Sequence, residues 1–352
     1  MSVSGQSAGL ARWYSRWMET PNVHAESHLF QSELLQRRER LERAVARNRE
    51  DMRLTELLSE VDAALQRIEH GTFGLCETCG GELEHDRLLA DPLVRYCLED
   101  LTPVEQRALQ QDLQLAAEIQ RGLLPQREVR TKGWEAAHHF APLGPVSGDY
   151  CDVLLPDGAD GHSHFLLGDV SGKGVAASIL MANLHATFRT LIATGLPIDT
   201  LMERANRLFC ESTTASQYAT LVCVKASPEG DVEIANAGHP PVLVASRGRT
   251  QVMQSGGLPL GMFCGSSYTT ARTHLDPGDV MLLYTDGVIE ARNADEAEYG
   301  HDRLVALFER LRVKGLNDAR ALTDGCLQDL ATFLAGSPRH DDVTVMAVRR
   351  AD

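Results

Sequence analysis

Aspartate recurs in four short segments far apart in the chain, each beside glycine or a second aspartate and each next to an apolar run that reads as a strand. They are Ser147-Gly148-Asp149-Tyr150-Cys151-Asp152, Gly168-Asp169-Val170-Ser171-Gly172-Lys173-Gly174, Tyr284-Thr285-Asp286-Gly287 and His340-Asp341-Asp342-Val343-Thr344. Carboxylates converging from separate strand ends repel one another, so such a group is stable only with cations among them. Hard oxygen ligands with small neighbours leave room for water and a phosphate, the donor chemistry of magnesium or manganese in a hydrolytic site. A single Asp-Gly is an ordinary turn signal. The ordered set of four carries the meaning.

A second group is made of sulfur. Of eight cysteines, Cys76, Cys79 and Cys97 form a spaced group, in Cys76-Glu77-Thr78-Cys79-Gly80-Gly81 and Arg95-Tyr96-Cys97. Cys-x-x-Cys-Gly folds the backbone so that two thiolates reach one ion, and the glycines relieve the tight turn. Cys151, Cys210, Cys223, Cys264 and Cys326 are scattered through apolar or mixed segments, the pattern of buried, reduced thiols.

The elements that must position these residues change character along the chain. Residues 24–69 are dense in Glu, Arg and Leu, with Leu34, Leu41 and Val45, then Leu54, Leu57, Leu58, Val61, Leu65 and Ile68 at helical spacing. Two helices in an antiparallel hairpin are expected, turning near 48–51. Thr102-Pro103 starts a further helix, in which Leu109, Leu113, Ala116, Gln120 and Leu123 alternate steps of four and three, the spacing of a coiled-coil seam or of a face packed on the following domain. After Pro125, short apolar segments at 165–168, 218–224, 232–235, 242–245, 280–284 and 343–348 predict strands. Helical patterns at 175–193 and 198–211, and again at 302–311 and 319–334, come in adjacent pairs. Strands with paired helices imply an α+β sandwich of two sheets covered by helices.

Composition narrows the partners. A net charge of -15 over 352 residues argues against nucleic-acid binding driven by phosphate neutralisation, and against anionic membranes. No uninterrupted apolar stretch approaches a membrane span and no signal peptide is evident, so a cytoplasmic location is expected. The segment 168–174 lacks the Gly-x4-Gly-Lys-Ser/Thr spacing of a nucleotide-binding loop. His239, entering a Pro-Pro turn, reads as structural, and His162 and His164 as polar-loop residues.

From residue 119 to 348 the four aspartate segments, in this order, resemble the PP2C-type metal-dependent serine/threonine phosphatases. The likeness is to the bacterial branch that includes the stress phosphatase RsbU and the sporulation phosphatase SpoIIE. The connecting segments are similar too: Ala117-Glu118-Ile119-Gln120-Arg121-Gly122-Leu123-Leu124-Pro125, Asn236-Ala237-Gly238-His239-Pro240-Pro241 and Gly257-Leu258-Pro259-Leu260-Gly261. The resemblance implies an αββα sandwich at 125–352 and the catalytic metal ligands Asp169 and Asp286. Asp169 would bridge two Mn²⁺ or Mg²⁺ ions with help from the Val170 carbonyl; Asp286 and Asp341 would complete one shell and Asp149 would lie beside the second ion. Asp152 and Asp342 are weaker candidates, as hydrogen-bonding groups around those ligands. Phosphomonoester hydrolysis would use a water activated by two ions about 3.5–4 Å apart, without a phosphoenzyme. Where eukaryotic relatives carry a histidine two positions after the bridging aspartate this chain has Ser171, so the general acid is unassigned. The expected substrate is a phosphorylated protein, a STAS-domain anti-sigma-factor antagonist of a partner-switching pathway.

Residues 24–100 resemble the DksA/TraR family, in which a helical hairpin precedes a zinc finger. The expected organisation is a hairpin at 1–70, a small zinc-ribbon-like finger at 71–103, a linker helix at 104–124 that supports a homodimer, and the phosphatase domain. The family's second Cys-x-x-Cys is incomplete here, with Asp100 in the fourth position. Either one structural Zn²⁺ is held by Cys76, Cys79, Cys97 and Asp100, with His85 the less natural substitute, or the finger folds without metal. A DksA-like binder of RNA polymerase is the alternative function. Against it, the tip Asn48-Arg49-Glu50-Asp51 lacks the Asp-x-x-Asp-x-Ala pattern. A catalytically dead scaffold is disfavoured by the complete aspartate set.

Overall fold

The computed structural model describes residues 27–47, 52–84, 87–88, 91–97, 103–131, 133–155, 161–213, 217–254, 256–315 and 318–351. The expected hairpin turn at 48–51, His85 and Asp100 lie outside them. The chain divides into two compact units, Met1–Leu109 and Gln110–Asp352.

In the first unit, helices α1 (Ser27–Arg47) and α2 (Met52–Glu69) face one another. Arg38 pairs with Asp62 at 2.8 Å and Phe30 stacks on Phe73 at 5.3 Å, so the contacts run in opposite senses and the pair is antiparallel. Leu34, Leu41, Val61, Ala64 and Leu65 form its apolar seam, and Cys76, Leu83 and Cys97 join the same core. The Cys76 N–H donates to Gly81 O at 2.8 Å and the Gly80 N–H to Cys76 O at 2.9 Å, closing a knuckle. Gly80 sits at φ +70°, a conformation that favours glycine.

The second unit carries two antiparallel sheets. β1 (Glu128–Thr131), β2 (Trp134–Ala141), β7 (Val242–Ser246), β8 (Arg249–Met253), β10 (Val280–Tyr284) and β11 (Val343–Arg350) form one, in the order β1-β2-β11-β10-β7-β8. β3 (Asp149–Leu154), β4 (Ser163–Val170), β5 (Ala219–Ala226), β6 (Asp231–Ala237) and β9 (Thr270–His274) form the other, in sequence order.

Strand alternation builds three apolar layers. Phe165 and Leu167 of β4 meet Met281 and Leu283 of β10 and Met346 and Val348 of β11 between the sheets. The outer face of the five-stranded sheet is covered by α4 (Gly174–Ile192) and α5 (Ile198–Ser212), through Leu184, Phe188, Met202 and Phe209. The outer face of the other is covered by α7 (His301–Val313) and α8 (Ala319–Leu334), after the four-residue turn of helix α6 (Asp286–Ile289). Helix α3 (Pro103–Leu123) leads into this αββα stack.

Two expectations are corrected. Among the described residues α4 is long and apolar enough, by length and composition, to cross a membrane. Its Ala177, Leu180, Met181, Leu184, Phe188 and Leu191 are buried in the core, and its apolar character is that of a helix facing a sheet. Cys210 and Cys264 are not separate thiols but a disulfide, with Cα atoms 5.7 Å apart. The loop after β8 folds back onto α5, where Asn206 donates to Phe263 O at 2.8 Å and accepts from the Gly261 N–H at 2.9 Å. That contact brings Cys264 to Cys210. Cys151, Cys223 and Cys326 are free and buried, as read.

Candidate active site

Asp149 opens β3 directly opposite Asp169 near the end of β4, in antiparallel register. Both lie on the side of the sheet that faces the second sheet, at the end of the apolar interlayer. From that second sheet, Thr285 follows β10 and Thr344 lies in β11; each hydroxyl donates to Asp149 Oδ2, Thr285 Oγ1 from 3.1 Å. The two threonines also lock each other, the Thr344 N–H donating to Thr285 Oγ1 at 3.0 Å. Asp286 follows Thr285 immediately, and Asp341 and Asp342 precede β11, so all these carboxylates reach one end of the sandwich.

Two glycines make that approach possible. A Cβ on Gly287 would stand 1.9 Å from Asp342 O and 3.2 Å from Asp341 Cβ, so only hydrogen fits between the third and fourth aspartate segments. A Cβ on Gly148 would stand 2.9 Å from Val170 O and 3.4 Å from Asp169 Oδ1, filling the space before the Val170 carbonyl.

The electrostatics are those of an acidic cluster short of positive charge. Burial, then the neighbouring Asp169 and Asp342, pushes the Asp149 carboxyl well above the usual carboxylate range, against the Thr344 hydrogen bond. Burial, then Asp286 and Asp341, does the same to Asp169, with Lys173 opposing. Asp286 is pushed up to about 6 by burial, then by Asp341 and Glu290. Lys173 Nζ stands 3.4 Å from Asp341 and donates to His340 O. Hard oxygens that destabilise one another in this way fit a divalent cation, whose charge removes the repulsion.

The profile of the Stage II sporulation protein E (SpoIIE) family matches residues 159–351, more than half of the chain. The chain belongs to the SpoIIE family. Among curated relatives, the Protein IcfG of Synechocystis is 27% identical over 68% of this chain and 41% of its own length. The Phosphoserine phosphatase RsbU of Bacillus subtilis is 24% identical over 70% of this chain and 72% of its own. The solved SiaA-PP2C domain of Pseudomonas aeruginosa superposes with a TM-score of 0.57 at 19% identity, covering 70% of this chain and 99% of that one. The sandwich is thus PP2C-like in fold. The chain spans less than half of the Synechocystis relative.

Within this SpoIIE-family domain the candidate residues separate. Asp149, Asp169, Asp286 and Asp341 lie at one end of the sandwich, each acting electrostatically on at least one other, with the Val170 backbone beside Gly148. Asp342 is occupied otherwise: its Oδ1 accepts from the Leu143 N–H at 2.6 Å, its Oδ2 from Ser147 Oγ at 2.6 Å and the Gly148 N–H at 3.1 Å. It holds the loop that leads to Asp149.

Asp152 does not join the group. Three residues along a strand reverses the face, so its fully buried carboxylate lies under α4, where Arg189 grips it with two hydrogen bonds of 2.9 Å.

Ser171 exchanges hydrogen bonds with Tyr218, donating its N–H at 2.9 Å and accepting at Oγ from the Tyr218 N–H at 3.0 Å. It fastens the loop after β4. His239 is buried, its Nδ1 2.9 Å from Thr220 Oγ1, while Asn236 clamps its turn through the His239 N–H and O. Burial pushes its imidazole down to about 3, so it is neutral near pH 7 and no source of a proton.

Sequence reasoning missed Ser147, Thr285 and Thr344, which aim the aspartates. The available signal was adjacency, a hydroxyl residue one or two positions from Asp149, Asp286 and Asp342.

In the first unit Cys76, Cys79 and Cys97 place their sulfurs within 4.8 Å of one another, with Cys79 and Cys97 3.5 Å apart. Glu77 ties the Cys76–Cys79 turn to the segment before Cys97: its N–H donates to Arg95 O at 2.9 Å, and its carboxylate pairs with Arg95.

Proposed function

We propose that residues 125–352 form a Mn²⁺- or Mg²⁺-dependent serine/threonine protein phosphatase. The observation that carries this reading is the convergence of Asp149, Asp169, Asp286 and Asp341 from both sheets onto one repelling cluster. Asp169 and the Val170 carbonyl, with Asp286 and Asp341, would hold one cation, and Asp149 with Asp169 a second. Bound there, divalent cations supply Lewis acidity and activate water for phosphomonoester hydrolysis. The chain's own contribution is positional: Thr285 and Thr344 orient Asp149, Asp342 holds its loop, and Gly148 and Gly287 leave the space open.

The phosphoserine phosphatase RsbU among the relatives supports a phosphoserine or phosphothreonine substrate, in our reading a STAS-domain anti-sigma-factor antagonist in the cytoplasm. Purified protein assayed on phosphoserine peptide should turn over with Mn²⁺ and stop with EDTA. Turnover that ignores EDTA would overturn the proposal.

For the first unit we propose a DksA/TraR-like hairpin and finger over 1–70 and 71–103. One structural Zn²⁺ would be held by Cys76, Cys79 and Cys97, with Asp100 fourth. The donor set fits: three sulfurs are already gathered in a closed knuckle, and zinc takes four such ligands. About one zinc per chain is expected by elemental analysis after exhaustive dialysis, and Cys76→Ser should lose it. Unchanged zinc content in that variant would favour a metal-free finger. The linker helix 104–124 would carry a homodimer. Leu115 and Ile119 leave an apolar edge exposed on it, while Gln120 and Leu123 of the expected seam turn inward.

A further inference from the structure

Among the described side chains of α3, Gln120 is the buried one, at 5% exposure. Its Nε2 donates to Ser147 O at 2.7 Å and its Oε1 accepts from the Ser147 N–H at 3.0 Å. Both halves of one amide are therefore spent on both backbone groups of one residue, as a neighbouring strand would spend them. A helix position that only had to pack would be filled at lower desolvation cost by leucine, since a buried amide is tolerated only when donor and acceptor are both satisfied.

Ser147 in turn has no slack. Its Oγ donates to Asp342 Oδ2 at 2.6 Å and accepts from the Asp149 N–H at 3.0 Å. The route from the helix to the candidate metal ligand is thus Gln120, the Ser147 backbone, its own covalently attached hydroxyl and the Asp149 amide, with each hydrogen bond along it 3.0 Å or less. The carboxylate end of Asp149 is fixed from the opposite sheet by Thr285 and Thr344. The main chain before it is held from the loop ahead of β11 by Asp342 and, from helix α3, by Gln120.

We propose that Gln120 is a positioning residue. It sets the Ser147–Asp149 backbone, and through it the affinity of the Asp149 side of the site for a divalent cation, an inference that rests on the metal-dependent reading above. The boundary between the two compact units falls inside α3 at Leu109, so the same helix begins in one unit and carries Gln120 in the other. Hydrogen bonds weaken steeply with misalignment, so a shift of about 1 Å in the helix would release Ser147.

The test uses the full chain and two variants. Gln120→Leu keeps the volume and removes both hydrogen bonds; Gln120→Glu keeps the acceptor for the Ser147 N–H and removes the donor. Mn²⁺ affinity by calorimetry should fall about 10- to 100-fold in Gln120→Leu, the range for groups that orient metal ligands, and by less in Gln120→Glu. Hydrogen exchange at the Ser147 and Asp149 amides should quicken in the same order. In the phosphatase assay the apparent Mn²⁺ requirement should rise, while kcat at saturating Mn²⁺ and KM for the phosphopeptide return to wild-type values.

Unchanged Mn²⁺ affinity and amide exchange in both variants would overturn the proposal. So would an activity loss that saturating Mn²⁺ does not restore and that follows melting temperature alone. Should Gln120→Leu fail to fold, Gln120→Glu and Ser147→Ala, which removes the hydroxyl step, decide by the same measurements. Failure of the underlying reading looks different: wild-type protein would itself bind no Mn²⁺ or hydrolyse no phosphomonoester.

Discussion

Asp169→Asn should lower kcat at saturating Mn²⁺ by at least about 10³-fold while leaving circular dichroism and gel-filtration volume unchanged. The magnitude follows from the cost of removing one preorganised electrostatic partner of the developing charge, about 10²- to 10³-fold, here with loss of a metal ligand besides. Asp169 stands opposite Asp149 and, after its burial, is acted on chiefly by Asp286 and Asp341, so it is the carboxylate common to both strand pairs. The fold should survive because asparagine has nearly the same shape and the neighbours gain by losing a repelling charge. Asp152→Asn is the control within the same strand region. Its carboxylate is held by Arg189 under α4, so that variant should lose stability, by leaving Arg189 without its partner, and should retain its Mn²⁺ requirement. Wild-type rates for Asp169→Asn would remove Asp169 from the site.

The carboxylates were legible because each sits beside glycine at the end of an apolar run, and strand ends are where such runs must stop. The strands 165–168, 218–224, 232–235, 242–245, 280–284 and 343–348 stand out because they are mostly buried and so apolar or alternating, with polar breaks such as Glu233 where a side chain is part exposed. β1, β8 and β9 were not read: Glu128–Thr131, Arg249–Met253 and Thr270–His274 lie at or near sheet edges and expose alternate polar residues. β3 was hidden by its own carboxylates, since Asp149 and Asp152 break the apolar pattern of a buried strand. The facing of Asp152 was nonetheless readable, because period two puts positions 149 and 152 on opposite faces.

What the sequence could not give was pairing at a distance. Thr285 and Thr344 reach Asp149 across 136 and 195 residues, and Gln120 reaches Ser147 across 27, with no periodicity to announce either. Gln120 was visible as one position in a helical seam and in the 117–125 segment, with no contact assigned to it. The side chains it met decided that this face turned inward. The Cys210–Cys264 bridge depends likewise on a loop returning to α5, which composition does not show.

Asp286→Asn should make the metal-free protein more stable and the metal-loaded protein less stable, with the first effect confined to a defined pH range. Asp286 rises to about 6 in the folded chain from an ordinary value of 3.8. A carboxyl whose folded pKa is raised stabilises the fold when protonated. That contribution is complete below about pH 4 and is lost as pH climbs through about 6. A shift of roughly two units at 1.36 kcal/mol each sets an upper figure of about 3 kcal/mol. Asparagine carries no charge to lose. In EDTA, then, wild type and variant should melt nearly together at pH 4 and separate toward pH 7.5, the variant melting higher by several degrees, at about 2–4 °C per kcal/mol for a unit of this size. Adding Mn²⁺ at pH 7.5 should reverse the order, because a ligand that binds only the folded state stabilises it by RT ln(1 + [L]/Kd) and the variant has lost a donor. The crossing separates a metal ligand from an ordinary buried acid. A buried acid with no metal role would give the same EDTA series and no reversal, and wild-type melting that ignores Mn²⁺ at every pH would remove the cation from this end of the sandwich.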